Sequence, residues 1–201
     1  MAEDDRKRGQ RCAWAEGSDT MRRYHDDEWG VPSHDDAHLF EMLVLEGAQA
    51  GLSWSTILNK RENYRQAFDG FDPHRIAAYD EGKLLELLDN PGIVRNRLKV
   101  RGTVTNARAF LELAGKSSSF ADYLWAWVDG TPIVNHPRSA ALPATSGLSD
   151  RMSKELKAKG FTFVGSTIIY SFLQAVGVVD DHVTTCPEKT GAKRASSDWN
   201  S

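Results

Sequence analysis

The 201-residue sequence predicts an all-α fold. Three observations carry that expectation. Apolar residues recur at helical spacing through most of the chain, and strand-like patterning is weak, with Phe161 to Val164 the only short candidate. Glycine and Asx-Pro punctuation falls where helices should start and stop. The length suits one compact domain or two small interleaved ones, with ample chain for a core. A formal net charge of -3 argues against a protein that is basic all over, yet leaves room for a local basic face. No apolar run approaches the roughly 20 residues a membrane span needs. The opening MAEDDRKRGQ is charged and has no apolar signal-like region, so the expectation is a cytoplasmic protein without membrane attachment.

In chain order, residues 1–10 and about 188–201 are polar, without apolar periodicity, and read as mobile tails. Ser33 to Asp36 reads as a capping-box start for an almost wholly apolar helix, with Gly51 as its stop. Residues 53–68 place Trp54, Ile57, Leu58, Tyr64 and Phe68 at helical spacing and end at Asp69-Gly70. Asp72-Pro73 is an N-cap followed by a first helical proline, opening a short helix to about Tyr79. Another helix spans about Glu81 to Leu88. A tight turn follows over Asp89 to Ile93, then a long helix from about Val94 to Ala114. Phe120 to Val128 is a short helix, and residues 129–147, with Pro132, Pro137 and Pro143, form a long loop. Two helices close the chain, Ser149 to Lys159 before Gly160 and Thr167 to Val176 before Gly177.

Glu46 interrupts the most apolar helix. It shares a side with Met42, Leu43 and Ala50, so its carboxylate points along an apolar stripe. A charge there must be paired, shift its pKa or face a cavity; otherwise it is a solvated glutamate at the helix rim or a cap for a neighbouring helix. Trp14, Tyr24, Trp29 and Trp54 crowd the same quarter of the chain, either as core or as the walls of a flat slot. The two cysteines, Cys12 and Cys186, lie at opposite ends, with His25 thirteen residues after the first and His182 four before the second. Two thiolates and two imidazoles suit a closed tetrahedral zinc site; unrelated free thiols are the alternative. From Pro91 to Leu111 the chain carries Arg95, Arg97, Lys99, Arg101 and Arg108 and no acidic residue. A glycine turn feeding a basic helix offers backbone N–H groups and cations to an anion, which favours nucleic-acid backbone binding over a merely solvated face.

Several strings occur in order: RCAW (residues 11–14), YHDDEWGVP (24–32), LFEM (39–42), LEGAQAGLSW (45–54), RENYR (61–65), FDP (71–73), GIVRNR (92–97), GFTFVG (160–165) and HV (182–183). Together they resemble the constitutive bacterial 3-methyladenine DNA glycosylase I (Tag) family of the helix–hairpin–helix superfamily, from about Arg11 to Cys186. The resemblance implies one unit over 11–187. Its helical core would span about 35–175, and segments 11–34 and 176–187 would be stapled together by one structural Zn2+ on Cys12, His25, His182 and Cys186. It implies Glu46 as the lesion-recognising, catalytic carboxylate, with Tyr24, Trp29 and Trp54 as base-binding aromatics. Gly51 and Leu52 would enter the gap left by an extruded nucleotide. Gly92, Ile93, Arg95, Arg97 and Lys99 would hold the DNA backbone. The expected partners are double-stranded DNA with alkylated bases and free 3-methyladenine as product, for a monomer that removes the base without cutting the strand. The rival is a zinc-stapled module that binds damaged DNA without catalysis. Two departures stand out: Val94 replaces the usual second hairpin glycine, and Met21 replaces a tyrosine common in relatives.

Overall fold

In the computed structural model, which describes residues 11–135, 137 and 142–187, the described residues form ten α-helices, one of them a long buried element at the centre. The expected tails at 1–10 and 188–201 lie outside the described residues. Asp35, not Ser33, caps the central helix α2 (Asp36–Gln49), accepting from the Ala37 amide. Ser33 instead pairs its hydroxyl with His38 Nδ1 at 2.9 Å, so no capping box forms there. All residues from Leu39 to Ala48 on α2 are buried, Glu41 and Glu46 included. Each fully buried Leu, Met or Phe side chain on such a helix contributes about 1.5–3 kcal/mol, which is what holds α2 at the centre.

Before α2 comes a 3-10 turn at Ala13–Gly17 and then α1 (Asp19–Asp27), capped by Ser18; neither is foreseen in the sequence, because the segment is mostly charged. The stretch 53–68 is two helices, α3 (Trp54–Leu58) and α4 (Arg61–Ala67). The break at Asn59-Lys60 leaves no trace in the pattern, since Ile57, Leu58 and Tyr64 are buried on both sides of it. Next come α5 (Pro73–Ala77), with Asp72 capping as expected, α6 (Glu81–Asp89) and α7 (Arg97–Ser117), capped by Asn96. Then follow α8 (Phe120–Ala126), α9 (Gly147–Ala158) and α10 (Ser166–Ala175).

Helix α2 packs against α7, α8 and α10. Its first residue, Asp36, accepts from the Phe120 and Ala121 amides at 3.0 and 2.8 Å, satisfying two orphan donors at the start of α8. Phe40 meets Phe110 edge-on at a centroid distance of 4.9 Å and Phe110 stacks on Phe120 at 4.4 Å, tying α2, α7 and α8 together.

The strand candidate at Phe161–Val164 is not a strand. The described residues contain one two-residue parallel pair elsewhere, β1 (Ile133–Val134) with β2 (Val179–Asp180). It forms across a long sequence separation, so no local alternation could reveal it. The same region joins the chain ends: Gly30 N donates to Gln174 O and Ser33 N to Val176 O, both at 3.0 Å. Gly177 has φ +73°, and a Cβ there would run into the backbone of Val31 and Pro32. Only glycine lets the two segments meet this closely.

Candidate active site

Glu46 lies at 4% exposure on α2, and its Oε2 has no hydrogen-bond partner. Burial alone pushes its carboxyl up to about 8. Glu41, also on α2, has the opposite environment. Its Oε1 accepts from Arg61 Nε at 2.8 Å and from Arg65 at 2.7 Å, while Arg61 also grips Glu28 at 2.7 Å. Arg61 therefore ties the end of α1 to α2 and α4, and Glu46 is left without a cation.

Three ring-bearing elements converge beside that carboxyl. Tyr24 on α1 is buried, and its ring centroid lies 5.3 Å from that of Trp54, the first residue of α3. Burial, then the nearby Glu46 charge, holds the Tyr24 phenol well above its usual range. Trp54 is half-buried, and its Nε1 has no partner. An acceptor and a donor thus lie buried and unused in one aromatic neighbourhood. Each such group costs about 1–3 kcal/mol if nothing ever satisfies it, so the pair points to a ligand. Trp14 also closes on Tyr24 at 6.2 Å; the sequence marks it only as one of a crowd of aromatics. Met21 is buried in the core. Trp29, grouped with the base-binding rings by resemblance, is seated against the imidazoles of His25 (5.8 Å, stacked) and His182 (4.5 Å, edge-on).

Gly51 ends α2 with φ +80°, and Leu52 follows as an exposed apolar side chain at 41%. The hairpin corrects the expectation of free amides. Gly92 N donates to Asn90 Oδ1 at 2.8 Å, Ile93 N to Asn90 O at 3.5 Å, and Val94 N to the Tyr64 hydroxyl at 3.1 Å. Ile93 itself is buried in the core. Gly92 is needed for space: a Cβ there would lie 2.9 Å from Asn90 Oδ1 and 3.0 Å from Asn63 Cβ. Val94 can stand where a second glycine is usual because its φ is not positive, so a Cβ is tolerated there, while its amide is satisfied by the Tyr64 hydroxyl from α4. The exposed side chains of Arg95 and Arg97 remain available to an anion beside the hairpin. Lys99 is redirected too: its Nζ donates to Ala48 O at 2.8 Å and Ala50 O at 2.6 Å, at the end of α2. Asp150, in the first turn of α9, accepts from the Ser166 hydroxyl at 2.5 Å, which gives it a local role.

Behind the aromatic neighbourhood, the ligand-type atoms of Cys12, His25 and Cys186 all lie within 4.8 Å of one another. All three residues are buried, and Cys186 Sγ approaches His25 Nε2 to 3.5 Å. This cluster could hold a metal ion. The ring of His182 lies 5.0 Å from that of His25. Each imidazole has Nδ1 against a carboxylate, His25 on Asp26 at 2.8 Å and His182 on Asp180 at 2.7 Å. A carboxylate on Nδ1 places that proton there and the lone pair on Nε2, the arrangement metal-binding histidines use. Without metal, burial pushes the Cys12 thiol up to about 12.

A buried carboxylate among aromatic rings, with exposed arginines at a hairpin of the same helical scaffold, suits recognition of a cationic base on a nucleic acid. The sequence profile of the methyladenine glycosylase family matches residues 14–189, and the chain belongs to that family. It is 46% identical over 178 residues to DNA-3-methyladenine glycosylase 1 of Escherichia coli (strain K12), covering 88% of this chain and 95% of the relative. A crystal structure of 3-methyladenine DNA glycosylase I (TAG) superposes with a TM-score of 0.85 at 50% identity, over 88% of this chain and 98% of that one. A structure describing 3-methyladenine recognition by the Staphylococcus aureus enzyme superposes at 0.86 with 36% identity, over 89% and 95%.

Proposed function

We propose that this protein excises 3-methyladenine from alkylated double-stranded DNA by hydrolysis, without strand cleavage, with Glu46, Tyr24 and Trp54 forming the base pocket. The observation that supports this most directly is the pair of unpartnered buried atoms, Glu46 Oε2 and Trp54 Nε1, in a ring-lined neighbourhood. Methylation at N3 leaves adenine in DNA positively charged and weakens its bond to the sugar. With its carboxyl pushed up to about 8, Glu46 is largely uncharged at neutral pH. The charge of a bound cationic purine lowers the Glu46 pKa, so the proton passes to solvent and the carboxylate pairs with the base; a neutral base gives no such return. The faces of Tyr24 and Trp54 add about 0.5–2 kcal/mol for each cation–π contact. On cleavage the electron pair of the N-glycosidic bond moves to the base, which leaves neutral. Water bonds to the sugar carbon and gives up its proton to solvent. Little acid catalysis is needed, so selection of the cation carries most of the task.

Reaching the pocket requires the nucleotide to be flipped out, which costs a few kcal/mol and least for a damaged base. Leu52, exposed after the Gly51 turn, fills the vacated gap, while Arg95 and Arg97 hold the phosphates. One Zn2+, held by Cys12, His25, His182 and Cys186, joins the two ends of the chain; with four protein ligands it supplies structure, not chemistry. Trp29 supports this centre and reaches the base pocket through its contact with Trp14, at 5.0 Å. Chromatography of bases released from methylated duplex DNA tests the proposal. Free 3-methyladenine with intact strands is the expected result; tight DNA binding without base release overturns it in favour of a non-catalytic module.

A further inference from the structure

Lys99 sits where the basic helix meets the glutamate helix, and its contacts are unusual for a lysine in a DNA-facing segment. The end of α2 leaves carbonyls with no intrahelical donor. Two of them, Ala48 O and Ala50 O, are satisfied by a side chain from about fifty residues further along, at 2.8 and 2.6 Å. A cation at a helix C-terminus also meets the negative end of the helix dipole. The lysine is itself fixed: its amide donates to Asn96 Oδ1 at 3.1 Å, and its carbonyl accepts from Thr103 Oγ1 at 3.1 Å. Asn96 caps α7 directly after the Asn90–Arg95 hairpin. Ala50 directly precedes Gly51 and Leu52, and Glu46 lies one turn before Ala50 on the same helix.

We propose that Lys99 is a positioning residue, a latch that sets the Gly51–Leu52 turn at a fixed offset from the DNA-gripping hairpin. This rests on the glycosylase function proposed above. Phosphates held by Arg95 and Arg97 define where the duplex lies, and the latch defines where Leu52 stands relative to that duplex. With the latch intact, backbone grip and base extrusion occur in one register, and the flipped base meets Glu46. Without it, the α2 terminus loses this side-chain tie to α7's first turn, and the Gly51–Leu52 turn can drift while the pocket walls, carried by α1, α3 and the buried face of α2, stay in place.

The test compares wild type, Lys99→Met, Lys99→Arg and Lys99→Gln in three measurements: affinity for free 3-methyladenine, single-turnover excision from a duplex carrying that lesion, and the salt dependence of binding to abasic duplex. For Lys99→Met the expected result is free-base affinity close to wild type, an excision rate lower by about 10- to 100-fold, as misplacement remote from the chemistry produces, and an unchanged salt slope. Lys99→Arg, which keeps donors and charge, recovers most of the rate. Should Lys99→Met unfold, Lys99→Gln carries the same comparison, being too short to span both carbonyls. A salt slope reduced by about one with the excision rate intact identifies Lys99 as a phosphate contact and overturns the latch. Parallel loss of free-base binding makes it a support of the pocket and also overturns it, as does wild-type excision by both neutral variants. Wild-type protein that releases no base removes the glycosylase function and the latch together.

Discussion

Glu41 and Glu46 lie five residues apart on the same buried helix, and only Glu41 has a cation. Arg61 and Arg65 both reach Glu41 at hydrogen-bond distance, whereas Glu46 Oε2 has no hydrogen-bond partner among the described residues. A buried ion pair on Glu41 organises the scaffold; a buried carboxyl with nothing to hold waits for a ligand. On the proposed function, recognition of charge falls to Glu46 and the mechanical joint to Glu41, a single turn or so apart.

Replacing Glu46 by Gln keeps the shape of the pocket and removes its ability to become negative. Excision of 3-methyladenine is expected to fall by on the order of 10²–10³-fold, the range found when one charge-stabilising group is removed from an active site. Binding to abasic duplex should persist. Base-release kinetics alongside an equilibrium titration with abasic DNA check both; an unchanged excision rate removes Glu46 from its role.

The same substitution alters the pH dependence of stability. Glu46 has a folded-state value of about 8 against an ordinary 4.5, so the folded protein binds this proton more tightly than the unfolded chain. Its contribution is fully present below pH 4.5 and is lost as pH rises through about 8, by on the order of a few kcal/mol. Glu46→Gln has no proton to lose. Urea unfolding from pH 5 to pH 8.5 should show the variant gaining on wild type as pH rises; a constant difference across that range contradicts the buried, unpaired carboxyl.

Arg97 is exposed beside the hairpin, at the first residue of α7. Arg97→Ala should weaken binding to every duplex sequence alike and lower the slope of log affinity against log salt by about one. Titrations at several salt concentrations on lesion-bearing and undamaged duplexes measure this. Sequence-dependent weakening, or an unchanged slope, argues that DNA lies elsewhere.

Cys12, His25 and Cys186 bring both chain ends to one buried point. Elemental analysis of purified protein should find one zinc per chain. Cys186→Ser should lose the metal and melt at a lower temperature, as should wild type treated with a strong chelator. Retention of full thermal stability after complete metal removal rules out the structural role.

Much of the fold is legible in the chain because helix ends are local. Asp72-Pro73, Gly51, Gly160 and Gly177 stand where their caps and stops predict, and the anomaly of Glu46 is visible from its apolar neighbours alone. The failures share a cause. The amides of Gly92 and Val94 look free until Asn90 folds back and Tyr64 arrives from α4. Lys99 looks like one more phosphate-binding cation until α2 presents two carbonyls to it.

By itself, then, the sequence determined where most helices form, that one of them would be buried with a carboxylate inside it, and which side chains could bind a cationic ring, a phosphate or a metal. These follow from backbone propensity, apolar periodicity and side-chain chemistry, each confined to a few neighbouring residues. The tertiary structure alone decided that Arg61 goes to Glu41 and not to Glu46, that Lys99 caps a helix, and that the Ile133–Val134 and Val179–Asp180 segments pair. Those outcomes depend on which groups meet across tens of residues, where one hydrogen bond or ion pair taken by a distant partner is no longer available to any other.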